Sequence, residues 1–186
     1  MRSIVATDKK TVVSVCVVTF NQEKYIRQCL QSIVDQKTDF DFEVIVGDDC
    51  STDGTPAIIS EFAEKYPRVV KPIWREKNIG PHKNYRGVHQ IAQSELIAHL
   101  DGDDYWLPGK LASQVNFLNQ HIDCSAVYTN AKIVSEEGEA LGIFSSGVPE
   151  LFDTVYLIRD GNFLMNSSMM YRTKWRKFIF PDTDET

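Results

Sequence analysis

Apolar stretches typical of buried strands alternate with amphipathic helical segments from residue 12 to residue 129, and this alternation limits the fold more than any other feature. Residues 12–20 are nearly all apolar and rich in β-branched side chains, as expected for a strand that is buried on both faces. Apolar residues then recur at helical spacing over residues 25–34. Strands that alternate with helices of this length predict βαβ units, a mostly parallel sheet and helices on both of its faces.

The same alternation continues along the chain. Further strands are predicted at 42–46, 69–74, 95–100 and 126–129, and further helices at 58–66, 82–93 and after Pro108. Pro72 has no N–H to give to a second neighbour, so its strand is expected to be an edge strand or a short one. After Ile133 the pattern breaks into short pieces. We therefore predict one α/β domain over 1–186, with an open, mostly parallel central sheet.

Two helix starts carry capping signals. Asn21 is predicted to be the N-cap of the first helix. Thr55 and Pro56 are predicted to form the N-cap and the first turn of the second helix.

Composition excludes several classes of function. The formal net charge of -6 argues against a nucleic-acid binder, which needs a basic face. The four cysteines form no C-x-x-C pair, which predicts a reduced, cytoplasmic protein. No apolar run is long enough to span a bilayer, and residues 1–10 are too polar for a signal peptide. Peripheral contact with the inner face of a membrane stays open.

A cluster of carboxylates follows the predicted strand at 95–100. Asp101, Asp103 and Asp104 lie within four residues, where each carboxylate raises the pKa of its neighbours. A divalent cation relieves this repulsion, and Mg²⁺ and Mn²⁺ commonly bind between carboxylates and a substrate phosphate. The cluster therefore predicts a metal-dependent site for a phosphorylated ligand.

A second acidic turn, at residues 48–55, follows the predicted strand at 42–46. The carboxyl ends of parallel strands share one edge of the sheet, where open α/β proteins bind ligands, so both turns are expected there. Competing motifs are missing from the sequence: it contains no G-x-G-x-x-G, no P-loop, no complete EF-hand loop and no zinc spacing.

Four stretches in this order give the chain a specific resemblance. They are V-C-V-V-T-F-N at 15–21, V-G-D-D-C-S-T-D-G-T at 46–55, Asn78-Ile79-Gly80 with Asn84, and L-D-G-D-D-Y-W at 100–106. Over residues 12–134 the chain resembles a family 2 glycosyltransferase with the Rossmann-like GT-A fold. The resemblance implies that 12–134 bind a nucleotide-sugar and that 135–186 are part of an acceptor-side region.

The resemblance also implies a reaction and partners. Such enzymes transfer a sugar, with inversion, from a nucleotide-sugar to a glycan, a lipid-linked acceptor or another hydroxyl group, and the donor expected here is a UDP-sugar. Mn²⁺ or Mg²⁺ assists. Polysaccharide biosynthesis is the expected setting.

Site residues are carried over by position. Asp101 and Asp103 match the metal-binding D-x-D, and Asp49 matches the carboxylate that reads the base, where it can accept the imide N–H of uracil. Asp48 is expected to cap its own turn, and Phe20 to lie against the base or in the core. The expected nucleotide-sugar-binding residues are Thr19, Phe20, Asn21, Asp49, Asn78, Gly80, Asn84, Asp101 and Gly102.

The general base is where the sequence departs from the family pattern. In the family it follows a segment that residues 166–172 resemble, usually before another helix, and it is therefore expected beyond Thr186. Asp182 and Asp184 are weak candidates within the chain, because they lie in a polar tail.

The chain is accordingly interpreted as a donor-binding portion that lacks the C-terminal part of the family. A non-catalytic donor-binding fragment, or a pseudoenzyme without the base, is the first alternative. A sugar nucleotidyltransferase is the second, although residues 19–23 lack its glycine-rich basic loop.

Overall fold

A six-stranded sheet forms the centre of the computed structural model, which describes residues 11–145, 150–153, 155–156 and 164–179. The strands are β1 (Val13–Thr19), β2 (Phe42–Asp48), β3 (Val70–Trp74), β4 (Leu96–Asp101), β5 (Ala126–Val127), β6 (Lys132–Val134), β7 (Ala140–Ile143) and β8 (Met170–Arg172). The order in the sheet is β3-β2-β1-β4-β8-β5. The first four are parallel, whereas β8 is antiparallel to both of its neighbours. The predicted mostly parallel α/β sheet is confirmed.

Helices cover both faces of this sheet, as predicted. They are α1 (Ile26–Val34), α2 (Thr55–Lys65), α3 (Pro81–Ile91), α4 (Lys110–Gln120) and α5 (Arg176–Ile179), with 3₁₀ turns at Asn166–Ser168 and Thr173–Trp175. Alternate residues of β1 face opposite sides. Val15 packs in the core cluster that contains apolar side chains of α1, α2 and α4. Cys16 packs in a second cluster, with Val88 of α3.

Both N-cap predictions are wrong, although Pro56 lies in the first turn of α2 as predicted. Helix α1 starts at Ile26, five residues after Asn21, whose side-chain oxygen instead accepts the backbone N–H of Thr52 at 2.8 Å. Thr55 is the first residue of α2 rather than its cap, and its hydroxyl oxygen accepts the N–H of Gln22 at 2.8 Å. Each side chain therefore joins the loop after β1 to the loop after β2, a long-range role that local spacing does not reveal.

Strand β8 was not predicted. It has only three residues and inserts between β4 and β5, with Tyr171 paired to Ile97 and to Ala126. Strand β3 lies at the edge, as Pro72 predicted. Strands β6 and β7 form a separate two-stranded hairpin. Within the described part of the chain, no helix is both long and apolar enough to cross a bilayer.

Candidate functional site

The two acidic turns meet at the carboxyl end of β1. Strands β2 and β4 flank β1, and all three run parallel. The N–H of Asp49 donates to the carbonyl of Thr19 at 3.0 Å, and the N–H of Gly102 donates to the carbonyl of Val18 at 2.9 Å. The expectation that both turns share one edge is confirmed. The residues that directly follow β1 lie between the two turns.

The first acidic turn is held together by its own carboxylates. Asp48 accepts the backbone N–H of Ser51 at 3.1 Å and the Ser51 hydroxyl at 2.5 Å, so it caps its own turn as expected. Asp53 accepts the N–H of Thr55 at 2.9 Å and the N–H of Glu23 at 3.1 Å. These bonds fix the loop that leads into α2.

Asp49 clamps a neighbouring loop. Its side chain is 3% exposed, and its two oxygens accept the N–H groups of Ile79 at 2.8 Å and Gly80 at 2.9 Å. Gly80 has φ 87° and ψ 157°, a conformation that side chains strongly disfavour. The exposed side chain of Asn78 also accepts the Gly80 N–H, at 3.1 Å. The sequence motifs predicted that Asp49, Asn78 and Gly80 bind the donor. They did not predict that Asp49 and Asn78 both accept the N–H of Gly80.

Asn84 lies inside the protein rather than at the open edge. It is 1% exposed, and its amide donates to the carbonyl of Gly47 at 2.7 Å while accepting from Nε of Arg75 at 3.2 Å. A methyl group on Gly47 would lie 2.7 Å from the Asn84 oxygen, so the close approach requires glycine. The hydrogen bonds of Asn84 therefore connect α3 to the end of β2.

The end of β1 presents an aromatic ring to solvent. Phe20 is 44% exposed, which excludes the core alternative. Asn21 follows it with φ 52°. Thr19 is buried, and its hydroxyl donates to the side chain of Gln22 at 2.7 Å. A methyl group on Gly102 would lie 2.9 Å from Thr19 Cβ, so glycine lets the second acidic turn approach β1 closely.

The second acidic turn contains three carboxylates in different surroundings. The Asp103 side chain is exposed, whereas Asp104 is half-buried. Burial raises the pKa of Asp104 above its usual range, and the charges of Asp103 and Asp101 raise it further. Burial also acts to raise the pKa of Asp101, but the hydrogen bonds from His99 and Ser167 outweigh burial and lower it. Asp101 therefore keeps its negative charge more readily than Asp104.

Both oxygens of Asp101 already have protein partners. Oδ1 lies 3.0 Å from Nε2 of His99, and Oδ2 accepts the hydroxyl of Ser167 at 3.1 Å. Ser167 belongs to the 3₁₀ turn at Asn166–Ser168, which Trp106 anchors by donating its indole N–H to the Ser167 carbonyl at 2.8 Å. No role was predicted for His99. The sequence offered one indication of this contact, because His99 lies two residues before Asp101 on the same strand.

The donor set of this turn fits a hard divalent cation. The side chain of Asp101 is 35% exposed despite its partners, and a carboxylate oxygen has more than one acceptor position. No group of three His, Cys, Asp or Glu side chains that could hold a metal occurs among the residues with described positions. With Asp101 and Asp103 as its protein ligands, a cation would have most of its coordination positions filled by oxygens of the bound ligand and of water, as is usual for Mg²⁺.

The general base has no counterpart in the described structure. The candidates Asp182 and Asp184 lie outside the described residues, and so does Thr186, beyond which the family pattern places the base. The segment before them is described as far as α5, which ends at Ile179. Both the two candidates and a base beyond Thr186 therefore stay predictions from the sequence.

A family profile and known relatives match this chain. The profile of glycosyl transferase family 2 matches residues 14–180. An uncharacterised protein of Mycobacterium tuberculosis is 39% identical over 162 residues, which cover 86% of this chain and 46% of that protein. The Staphylococcus aureus poly(ribitol-phosphate) beta-N-acetylglucosaminyltransferase TarS is 33% identical over 178 residues, which cover 92% of this chain and 28% of TarS.

Solved structures share the fold. TarS 1–349 in complex with UDP-GlcNAc superposes with a TM-score of 0.70 at 30% identity, covering 91% of this chain and 47% of that one. A mannosyltransferase from Pyrobaculum calidifontis, in complex with GDP-Man and Mn²⁺, gives 0.58 at 27% identity, covering 68% and 37%. The chain spans about half the length of the first curated relatives it matches.

Proposed function

The chain belongs to glycosyl transferase family 2, and from this premise we propose that it transfers a sugar from a nucleotide-sugar, with a UDP-sugar as donor, to an acceptor hydroxyl with inversion at the anomeric carbon. The convergence of the two acidic turns beside the end of β1 carries the proposal. This edge combines the exposed ring of Phe20, the buried carboxylate of Asp49 and the exposed carboxylate of Asp103. A nucleobase and a diphosphate with its cation require groups of these kinds.

The base of the donor is assigned to the first turn and the end of β1. The exposed ring of Phe20 offers an apolar surface on which a nucleobase can stack. Asp49 accepts one N–H on each oxygen, so each oxygen keeps capacity for a further bond, such as one from the uracil imide. The UDP-GlcNAc complex of TarS supports uracil as the base.

The diphosphate is assigned to the second turn. Asp101 and Asp103 would hold Mn²⁺ or Mg²⁺ together with phosphate oxygens. The bound cation would neutralise the negative charge on the leaving diphosphate. The complex of the Pyrobaculum calidifontis relative with GDP-Man and Mn²⁺ supports a metal in this role.

On the acceptor side, the reaction requires a general base and an acceptor hydroxyl. Inversion by direct displacement requires a base opposite the leaving group, and Asp182 and Asp184 are this chain's own candidates. TarS is a poly(ribitol-phosphate) beta-N-acetylglucosaminyltransferase, which supports a polymer with free hydroxyl groups as the acceptor. The four cysteines, all at described positions, are free thiols, which supports action in the cytoplasm, at the inner face of the membrane for a lipid-linked acceptor.

Calorimetric titration tests the donor site. UDP should bind the wild-type protein in the presence of Mn²⁺, and Asp103→Asn should weaken that binding at least about tenfold. Asp123→Asn removes another exposed carboxylate, in the segment after α4, and should bind UDP as the wild type does. The proposed site would be contradicted if the wild type failed to bind UDP with both Mn²⁺ and Mg²⁺, or if Asp103→Asn bound UDP as tightly as the wild type does.

Turnover separates an enzyme from a binding module. Release of UDP from UDP-GlcNAc should increase when glycan or polyol-phosphate acceptors are added. Tight, metal-dependent binding of UDP without release on any acceptor would instead support the donor-binding alternative.

A further inference from the structure

A chain of hydrogen bonds leads from the second acidic turn into the core. Asp101 Oδ1 lies 3.0 Å from Nε2 of His99, and Nδ1 of His99 lies 3.1 Å from Nε2 of His89. Nδ1 of His89 then lies 2.9 Å from the hydroxyl of Tyr171. The two histidines and the tyrosine have no solvent exposure. We call these three side chains the histidine relay.

The histidine relay connects three separate elements and is packed tightly. His99 lies on β4, His89 on α3 and Tyr171 on β8. The ring of Tyr85 stacks on His89, with centroids 4.2 Å apart, and tilts against His99 at 4.4 Å. Imidazoles held in this way cannot rotate without moving their neighbours. Apolar side chains would fill the same space without the desolvation cost of polar groups, which favours a role beyond packing.

Hydrogen-bond chemistry allows one arrangement of protons when both imidazoles are neutral. An ionised Asp101 only accepts, so the proton of His99 is on Nε2 and its Nδ1 is an acceptor. His89 must then donate from Nε2, which leaves its Nδ1 to accept the hydroxyl proton of Tyr171. Every donor in the histidine relay thus points toward the carboxylate. Burial, and the neighbouring His99, lower the pKa of His89 far below its usual range, in agreement with a neutral imidazole.

We infer that His99, His89 and Tyr171 are positioning residues that fix the orientation of Asp101 for the metal and donor, a role that rests on the proposed function. The relay holds Oδ1, and Ser167 holds Oδ2 while accepting the backbone N–H of Asp101 at 3.1 Å. The carboxylate is therefore fixed from both sides, and its remaining acceptor positions are available at the exposed part of the group. Ligands held by such outer partners bind metals more tightly than unsupported ligands.

Two-bond ¹H–¹⁵N spectra of the metal-free protein test the arrangement of protons directly. In the wild type, Nε2 should be the protonated nitrogen in the hydrogen bond from His99 to Asp101 and in that from His89 to His99. Tyr171→Phe removes only the hydroxyl group, and it should shift the ring-nitrogen signals of His89 and His99. Tyr128→Phe is the matched control, because the Tyr128 hydroxyl donates to the sulfur of Met169 and lies outside the relay.

Mn²⁺ affinity in the presence of UDP tests the consequence. Tyr171→Phe should weaken it about threefold, and His99→Leu about tenfold, whereas Tyr128→Phe should leave it unchanged. His99→Gln restores an N–H donor near Asp101 and should recover most of the loss. Unfolding in urea reports whether each variant remains folded, so a change in affinity can be separated from a loss of structure.

The results of these experiments distinguish a failure of the histidine relay from a failure of the proposed function. Protonation of His99 on Nδ1, or identical spectra and Mn²⁺ affinities for Tyr171→Phe and the wild type, would overturn the histidine relay while leaving the proposed function intact. A wild-type protein that binds no Mn²⁺ or UDP would instead refute the proposed function and the metal role of the relay. The spectra of the metal-free protein would still decide the arrangement of protons.

Discussion

Gly80 shows how one backbone conformation can join two loops at the edge of the sheet. Its positive φ turns the chain so that its own N–H and that of Ile79 both reach the carboxylate of Asp49. No atom lies within 4 Å of the position that a Cβ would occupy, so conformation and not space requires glycine here. This one residue therefore connects the first acidic turn to the start of α3.

Gly80→Ala should lower the free energy of unfolding by about 2 kcal/mol, because φ near +87° with extended ψ is nearly exclusive to glycine. Gly142→Ala is the matched control, since Gly142 also has no neighbour within 4 Å of its Cβ position and has an ordinary φ. The control should change stability by less than about 0.5 kcal/mol. Urea denaturation measures both values, and equal values would contradict the conformational explanation.

Residue types predicted some partnerships at this edge and not others. Asp48 was correctly expected to cap its own turn, because Asp and Ser three residues apart bond locally. Asn21 and Thr55 have the same local chemistry, but their partners lie more than thirty residues away in sequence. Such long-range bonds depend on the register between β1 and β2, which no local pattern contains.

At the scale of elements, strand prediction succeeded where strands are long and buried. The β-branched residues of β1 and β2 determine both the strands and their place inside the sheet. Strand β8 was missed because three residues carry no periodicity, and its pairing with β4 joins segments more than seventy residues apart. The shared edge of the two acidic turns was predictable from sequence, whereas the histidine relay was not, because it needs α3, β4 and β8 together.

Glu43 links three strands of the sheet. The side chain of Glu43 on β2 accepts the hydroxyl of Ser14 on β1 at 2.6 Å and pairs with Lys71 on β3. Burial alone would raise the pKa of Glu43, but the hydrogen bonds from Lys71 and Ser14 outweigh burial and lower it. The ionised form is therefore favoured by folding, and its contribution depends on pH.

The stabilisation from Glu43 should be complete above its unfolded pKa of about 4.3 and disappear as pH falls through the lower folded value. Glu43→Gln should therefore cost about 1 kcal/mol at pH 7 and progressively less below pH 4. Glu64→Gln, at an exposed position of α2, serves as the control and should cost little throughout. Urea denaturation from pH 3 to pH 7 measures the differences, and a pH-independent cost for Glu43→Gln would be inconsistent with this linkage.

At the scale of the whole molecule, segments distant in sequence depend on one another. The turn at Asn166–Ser168 contributes Ser167 to the carboxylate of Asp101, and β8 completes the sheet beside β4. The structural unit therefore extends beyond residue 134, where the strand-helix pattern of the sequence ends.

The same architecture predicts a wide range of local stability. Strand β1 is bonded to neighbours on both sides and buried, so the amides of Val15 and Val17 should exchange with solvent only through global unfolding. The β6–β7 hairpin is two-stranded, and every residue of β7 is exposed, so its amides should exchange through local opening. Hydrogen exchange should therefore be at least about 10³-fold slower in β1. The opening free energy of β1 should equal that from urea denaturation, and comparable protection in the hairpin would show that it unfolds with the sheet.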